Sequence, residues 1–146
     1  MKILVLNGPN LNLLGMREPD KYGNEDYAAL VAKIEKHAAS RGVTVKVEQS
    51  NHEGVLVDLI QAAYGVYDGI VINPAAYTHT SVAILDAILA VRIPTVEVHI
   101  SDVSRREAFR QVSYVREAAI STVMGEGTDG YLHAMDILLS HLESAK

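Results

Sequence analysis

The chain is 146 residues long and 49% hydrophobic, with 13 Lys and Arg against 18 Asp and Glu for a net charge of −5. That length suits one domain with a real core, and an acid excess without a basic cluster speaks against nucleic acid as the main partner. There is no cysteine, which excludes a disulfide framework, a thiolate zinc site and a cysteine nucleophile. No apolar stretch approaches membrane-spanning length, so a cytoplasmic protein without a membrane partner is expected.

Residues 2–6, KILVL, are aliphatic and too short for a helix, and predict a buried strand. The connection after it is long for a strand-to-helix turn, because no helical signal appears until about Asn24. It holds NGPNLNLLG at 7–15, then Arg17 and Tyr22, with Pro9 and Pro19 as stiffeners and Gly15 and Gly23 as hinges. A lid at about 16–24, hung on the first strand, is the expectation. Asn24 is expected to cap a helix in which Tyr27, Leu30, Val31, Ile34 and Ala38 recur at helical spacing, stopped by Gly42. Residues 43–49 alternate with period two and predict a second strand. Ser50 and Glu53 form a capping-box pattern before a helix through Leu56, Leu59, Ile60 and Ala63. A third strand is predicted at 69–73, a helix at 78–91 that must stop before Pro94, and a fourth strand at 95–100. Ser104 and Glu107 repeat the capping-box pattern before a short helix through Phe109. Residues 119–124 predict a fifth strand and 130–143 a final amphipathic helix.

Five strands alternating with helices predict a parallel sheet covered on both faces. At this size the expected architecture is a flavodoxin-like three-layer α/β sandwich of strand order 2-1-3-4-5, forming a single catalytic domain. Its crevice belongs at the carboxyl ends of the strands, beside the switch point between strands 1 and 3. Polar residues gather there: Asn7 and Asn10, then Asn51, His52 and Glu53, then 73–81, then His99 and Ser101. Most have a plainer alternative. Asn7, Asn10 and Asn12 serve as turn formers beside Gly8 and Pro9, Tyr22 as a packing ring, Arg17 as a solvated charge. His79 reads equally as a helix cap, and 73–77 as a simple turn. His99, a titratable ring in an apolar strand, reads as functional, with Glu97 on the same face orienting or charging it. His37, His133 and His141 fall on helices away from this edge and read as surface or packing residues.

Several chemistries fail on composition and spacing. A P-loop needs a lysine and a hydroxyl where GPNLNLLG has neither. A phosphoacceptor receiver needs carboxylates where Asn7 and Asn73 stand. Metal-ligand spacing and a nucleophile elbow are both missing. A tyrosine, an arginine, histidines and amides suit proton transfer beside a carbonyl, on a polar anionic substrate.

NGPNLNLLG at 7–15, Arg17-Glu18-Pro19 and Tyr22-Gly23 closely resemble the opening of type II 3-dehydroquinate dehydratase. The resemblance continues through QSN and EG within 49–54, NPAAYTHTS at 73–81, EVHIS at 97–101, Arg106 to Arg110, and the glycine-rich 125–131. It implies loss of water from 3-dehydroquinate to give 3-dehydroshikimate in the shikimate pathway, without cofactor or metal. It gives Tyr22 as the base, Arg17 as the cation favouring its phenolate, Asn10 as holder of a water at the enolate, and His99 as the acid. Glu97 would orient His99, while Asn73, His79, Ile100, Ser101 and Arg110 would grip the substrate. The resemblance further implies a homododecamer, a tetramer of trimers, in which Asp86 reaches a neighbouring subunit's site. Leu85, Asp102, Ser104 and Arg105 depart from the family's commoner residues, and Asp102 is expected to point away from the substrate's carboxylate. Two other readings are a flavodoxin-like binding module, which wants a phosphate-binding loop after strand 1, and a catalytically silent family member.

Overall fold

The computed structural model describes residues 1–16 and 25–146. Five strands form one parallel sheet: β1 (Lys2–Asn7), β2 (Thr44–Gln49), β3 (Gly69–Asn73), β4 (Thr95–His99) and β5 (Ser121–Met124). Their order is β2-β1-β3-β4-β5, the flavodoxin-like arrangement the sequence predicts. Among the described residues, four α-helices cover it: α1 (Tyr27–Ser40), α2 (Glu53–Ala63), α3 (Val82–Val91) and α4 (Asp129–Ser144). Among the described residues, no helix is long and apolar enough to cross a membrane.

The sandwich follows from side-chain alternation. On β1, Ile3 and Val5 join one core with Leu30 and Ile34 of α1 and Met135 and Leu138 of α4. Leu4 and Leu6 point the other way, toward Leu56 and Ile60 of α2 and Ile84 and Ile88 of α3. Strands β3 and β4 are buried along their whole length, which is why they read as nearly unbroken apolar runs. Strand β2 lies at the edge and keeps an alternating pattern.

Local starts and stops differ from expectation wherever a different side chain takes the cap. Helix α1 is capped by Asp26, whose Oδ1 accepts from Ala29 N at 2.8 Å, while Asn24 lies outside the described residues. The Ser50–Glu53 capping box does not form: Ser50 Oγ accepts from His52 N at 3.0 Å, and His52 is the cap. The helix expected over 78–91 is split. A 3-10 turn (Ala75–His79) comes first, and Ser81 then caps α3 by accepting from Ile84 N at 3.0 Å. The short helix expected after Ser104 becomes two 3-10 turns, Val103–Arg105 and Ala108–Arg110. Asp102, not Ser104, caps the first of these, accepting from Ser104 N at 3.1 Å and Ser104 Oγ at 2.5 Å. A further 3-10 turn, Val115–Glu117, precedes β5, which starts at Ser121 rather than 119.

One close approach fixes the β1 end. Gly8 N donates to Asn73 O at 2.7 Å, and a Cβ on Gly8 would lie 2.4 Å from Pro74 O. Only glycine lets the two backbones meet.

Candidate active site

Parallel pairing brings the carboxyl ends of the strands to one edge. Asn7 stands in register with Gln49 on one side and Asn73 on the other, and His99 pairs with Met124. Above them opens a cleft of about 740 Å³, solvent mouth included, between the turn after β1 and the segment after β4. Asn10, Asn73, His79, His99, Ser101 and Arg110 all line it, as does Ile100. Thus seven of the residues singled out in the sequence meet in one place. Arg17 and Tyr22 lie outside the described residues. Asp86 is on the exposed face of α3 and does not line the cleft.

The strongest feature is a buried, hydrogen-bonded carboxylate–imidazole pair. Glu97 and His99 are neighbours on one face of β4, and His99 Nε2 donates to Glu97 Oε2 at 2.5 Å. Glu97 has no exposure and His99 only 6%. An unpartnered carboxylate in such a place would be costly. Here Oε2 also accepts from Thr78 Oγ1 at 2.6 Å, and Ser113 Oγ lies 3.1 Å from both carboxylate oxygens. Burial pushes the Glu97 pKa up, but the His99 bond and charge and the two hydroxyls outweigh it. The net direction is down, so the group is a carboxylate at neutral pH. With Nε2 committed as a donor, Nδ1 is the His99 nitrogen left for the cleft.

His79 is fixed differently. Its Nδ1 lies 2.7 Å from the carbonyl of Val112, which can only accept, so Nδ1 carries the proton. Burial, followed by the nearby His99 and Arg110 charges, lowers its pKa against the opposing pull of Val112 O and Glu97. The ring is neutral at neutral pH, and Nε2 is an acceptor suited to a hydroxyl.

Asn73 belongs to a buried amide–phenol chain. Its Nδ2 donates to Tyr131 Oη at 2.9 Å and its Oδ1 accepts from Ala75 N at 3.0 Å. Tyr131 in turn donates to Asn7 Oδ1 at 2.7 Å, and Asn7 Nδ2 donates to Tyr27 Oη at 3.4 Å. One Nδ2 hydrogen of Asn73 is left to point at a ligand. Asn10, in the left-handed region at φ 70°, is held by its N–H on Asn51 Oδ1 at 3.0 Å.

Two arginines border the cleft. Arg110 Nε donates to Glu107 Oε2 at 2.5 Å, and Arg106 Nη1 donates to Ser101 Oγ at 3.4 Å. The carbonyls of Ile100 and Ser101 accept from Gly127 N and Gly125 N at 3.1 and 3.2 Å, which pins the turn after β4 to the glycine-rich loop. Asp102 is turned onto Ser104, away from the cleft, as expected. Among the described residues, those lining the cleft include no Asp or Glu. Both arginines also face the Glu107 carboxylate, Arg106 Nε at 3.9 Å and Arg110 Nε at 2.5 Å, so the described wall carries two guanidiniums against one carboxylate. No trio of His, Asp or Glu among the described residues converges as metal ligands.

Comparison with known proteins decides the family. The model of the family described as Dehydroquinase class II matches residues 1–139. The chain belongs to the class II dehydroquinases. It is thereby an enzyme of the hydro-lyase class. It is 53% identical over 140 residues to the 3-dehydroquinate dehydratase of Ruegeria pomeroyi, covering 96% of this chain and 94% of that one. It is 52% identical over 142 residues to the catabolic 3-dehydroquinase of Verticillium alfalfae, covering 97% and 95%. The crystal structure of type II dehydroquinase from Butyrivibrio crossotus superposes with a TM-score of 0.94 at 51% identity, covering 95% of this chain and 97% of that one.

Four residues in or behind the cleft have no role assigned from the sequence. Thr78 and Ser113 serve the Glu97 carboxylate, Tyr131 serves Asn73, and Arg106 lines the cleft. Thr78, Arg106 and Tyr131 stood inside recognisable blocks. For Ser113 no pattern pointed to its role. The outlying histidines behave as read: His37 Nε2 bonds Asp136 Oδ1 at 2.8 Å, and His133 Nδ1 bonds Glu126 Oε2 at 2.9 Å.

Proposed function

We propose that this hydro-lyase dehydrates 3-dehydroquinate to 3-dehydroshikimate in the shikimate pathway, by anti elimination through an enolate. The observation that carries the reading is the Glu97–His99 bond at the head of a cleft bordered by two guanidiniums. A cleft bordered by Arg106 and Arg110, without lining carboxylates among the described residues, suits an anionic substrate.

Tyr22 is assigned the base. A free tyrosine has a pKa of about 10, so it needs help at neutral pH, and Arg17 supplies a cation favouring the phenolate. The phenolate takes the proton alpha to the ketone, the electron pair of that C–H bond becomes a carbon–carbon π bond, and the carbonyl π pair moves onto oxygen to give the enolate. Asn10 holds a water that donates to the enolate oxygen. The enolate then reforms the ketone, the carbon–oxygen bond beta to it breaks, and the hydroxyl leaves as water with the proton from His99 Nδ1. Glu97 compensates the positive charge of the ring that carries this proton. Asn73, His79, Arg110 and the backbone at Ile100 and Ser101 grip the carboxylate and hydroxyls. His79 Nε2 serves as an acceptor, as its tautomer requires.

In this reading residues 16–24 close over the substrate, and the whole chain is one catalytic unit. Asp86, exposed on α3, completes the site of a neighbouring subunit in a homododecamer, a tetramer of trimers working in the cytoplasm. The test is ultraviolet absorbance of protein mixed with 3-dehydroquinate, with EDTA present, beside Tyr22→Phe. A conjugated enone formed by the natural chain and lost in the variant is the expected result. Activity retained in Tyr22→Phe would remove Tyr22 as the base. No enone from folded natural protein would favour the catalytically silent reading.

A further inference from the structure

Among the described residues, the side-chain partners of the Glu97 carboxylate beyond His99 are neutral hydroxyls, and the two hydroxyls stand on separate segments. Thr78 belongs to the turn after β3, while Ser113 lies on the strap that runs from β4 to β5. The three groups form a tight cluster: Thr78 Oγ1 is 2.6 Å from Glu97 Oε2 and 2.7 Å from Ser113 Oγ. Ser113 Oγ is 3.1 Å from each carboxylate oxygen and accepts from Arg116 N at 3.1 Å. The strap is pinned at the same point from both sides. Tyr114 N donates to Thr78 O at 2.8 Å, and His79 Nδ1 donates to Val112 O at 2.7 Å. Arg110 stands only a few residues earlier on this strap, at the cleft wall.

We propose that Thr78 and Ser113 are positioning residues that aim the Glu97 carboxylate at His99 Nε2, and that through them the strap bearing Arg110 is locked to the acid of the reaction. The proposal rests on the functional reading above and deepens it. A carboxylate has two oxygens and can rotate about its last bond, so one donor alone does not fix it. Three groups from three segments do. His99 and Thr78 donate to it, and the single Ser113 proton goes either to the carboxylate or to Thr78 Oγ1, 2.7 Å away, bracing the carboxylate directly or through Thr78. The strap cannot lift Arg110 away without also loosening the carboxylate.

The chemistry gives a readout that plain packing would not move. Hydroxyl donors stabilise the charged form of Glu97, so removing one raises the pH at which the carboxylate takes a proton. Among the described residues, the charged and titratable groups around it are His99 on β4, His79 on the turn, and Arg106 and Arg110 on the strap, all lining the cleft. The flanking strands β3 and β5 carry none.

Thr78→Val keeps the shape and removes the hydroxyl, Ser113→Ala does so on a half-buried segment, and Thr78→Ser restores the donor. Both deletions should lower kcat/KM about tenfold and move the low-pH limb of its profile up by about one pH unit. Thr78→Ser should return both toward the natural values. Titration of the Glu97 carboxyl carbon by NMR, without substrate, should show the same upward shift. This second measurement separates the two readings: if the natural chain fails to dehydrate 3-dehydroquinate, the function is wrong but the NMR shift still decides the positioning role. Natural-like titration of Glu97 in both deletion variants would overturn the proposal, as would loss of activity without any change in the pH profile.

Discussion

Replacing Tyr131 with Phe deletes one hydroxyl from the interior chain that holds Asn73. Tyr131 has no exposure, and burial pushes its pKa up against the opposing Asn73 bond, so the phenol stays protonated and donates to Asn7. Phe fits the same space. What it leaves behind are two amide atoms: Asn7 Oδ1 without its 2.7 Å donor and Asn73 Nδ2 without its 2.9 Å acceptor. A buried polar atom stripped of its partner costs about 1–3 kcal/mol. Asn73 borders the cleft and can turn toward water, so its share falls at the low end. The sum is about 2–4 kcal/mol, a drop in Tm of roughly 5–12 °C for a chain of this size. Urea unfolding at one fixed protein concentration checks it, because subunit association also contributes to apparent stability. The midpoint should fall with the slope unchanged. In the dehydration assay KM should rise more than kcat falls, since the freed amide of Asn73 loses its aim. A midpoint change worth less than about 0.5 kcal/mol would refute the claim that this chain of hydrogen bonds is stabilising.

Two further substitutions test the edge on which the site is built. Gly8→Ala would place a Cβ 2.4 Å from Pro74 O and 2.7 Å from Pro74 C, both backbone atoms, so the β1 and β3 ends must separate. The expected outcome is a loss of more than about 3 kcal/mol or no soluble protein, and a natural-like Tm would contradict the close approach. His79 has its pKa lowered from 6.5, chiefly by burial and then by the His99 and Arg110 charges. Its contribution to stability is fully present above pH 6.5 and is lost as pH falls through its lower folded value. His79→Gln should therefore flatten the decline of the urea midpoint below pH 6.5, and an equally steep decline in the variant would count against a neutral, partly buried ring.

The sheet was legible because its strands are chemically distinct from everything around them. KILVLN, GIVIN and TVEVH are short, apolar and bounded by turn residues, and parallel strands buried on both faces must be so. The carboxyl-edge crevice then followed from topology, and Asn73, His79, His99 and Arg110 do meet there. Caps were less legible. Ser50 and Ser104 carry the right spacing for a capping box, yet Asp102 outcompetes Ser104, and Ser50 spends its oxygen on His52 N. Such choices turn on a few tenths of an ångström in loop geometry, to which spacing is blind. The supporting residues were hidden for another reason. Tyr131 bonds Asn73 across 58 positions and Asn7 across 124, and Ser113 reaches Glu97 across 16. A neutral hydroxyl has no signature until its partner is known.

Glu97 links the interior of the sheet to the cleft at its edge. A carboxylate in the middle of a fully buried strand is a stability liability, since a hydrophobic residue of similar volume would pack there without desolvating a charge. The fold surrounds it with three polar groups from three segments: His99 Nε2, Thr78 Oγ1 and Ser113 Oγ. An apolar replacement would relieve the desolvation but leave Nε2 of His99 without an acceptor, and the ring could then turn or change tautomer. Period-two alternation puts Glu97 and His99 on one face, and the sheet edge presents only the second to the cleft. A parallel sheet thus separates the two halves of the pair by depth: the carboxylate is buried where water cannot loosen its bond to the ring, and the other ring nitrogen is left facing the cleft, where the proposed mechanism has it give up a proton. Stability given up inside the sheet becomes orientation at its edge.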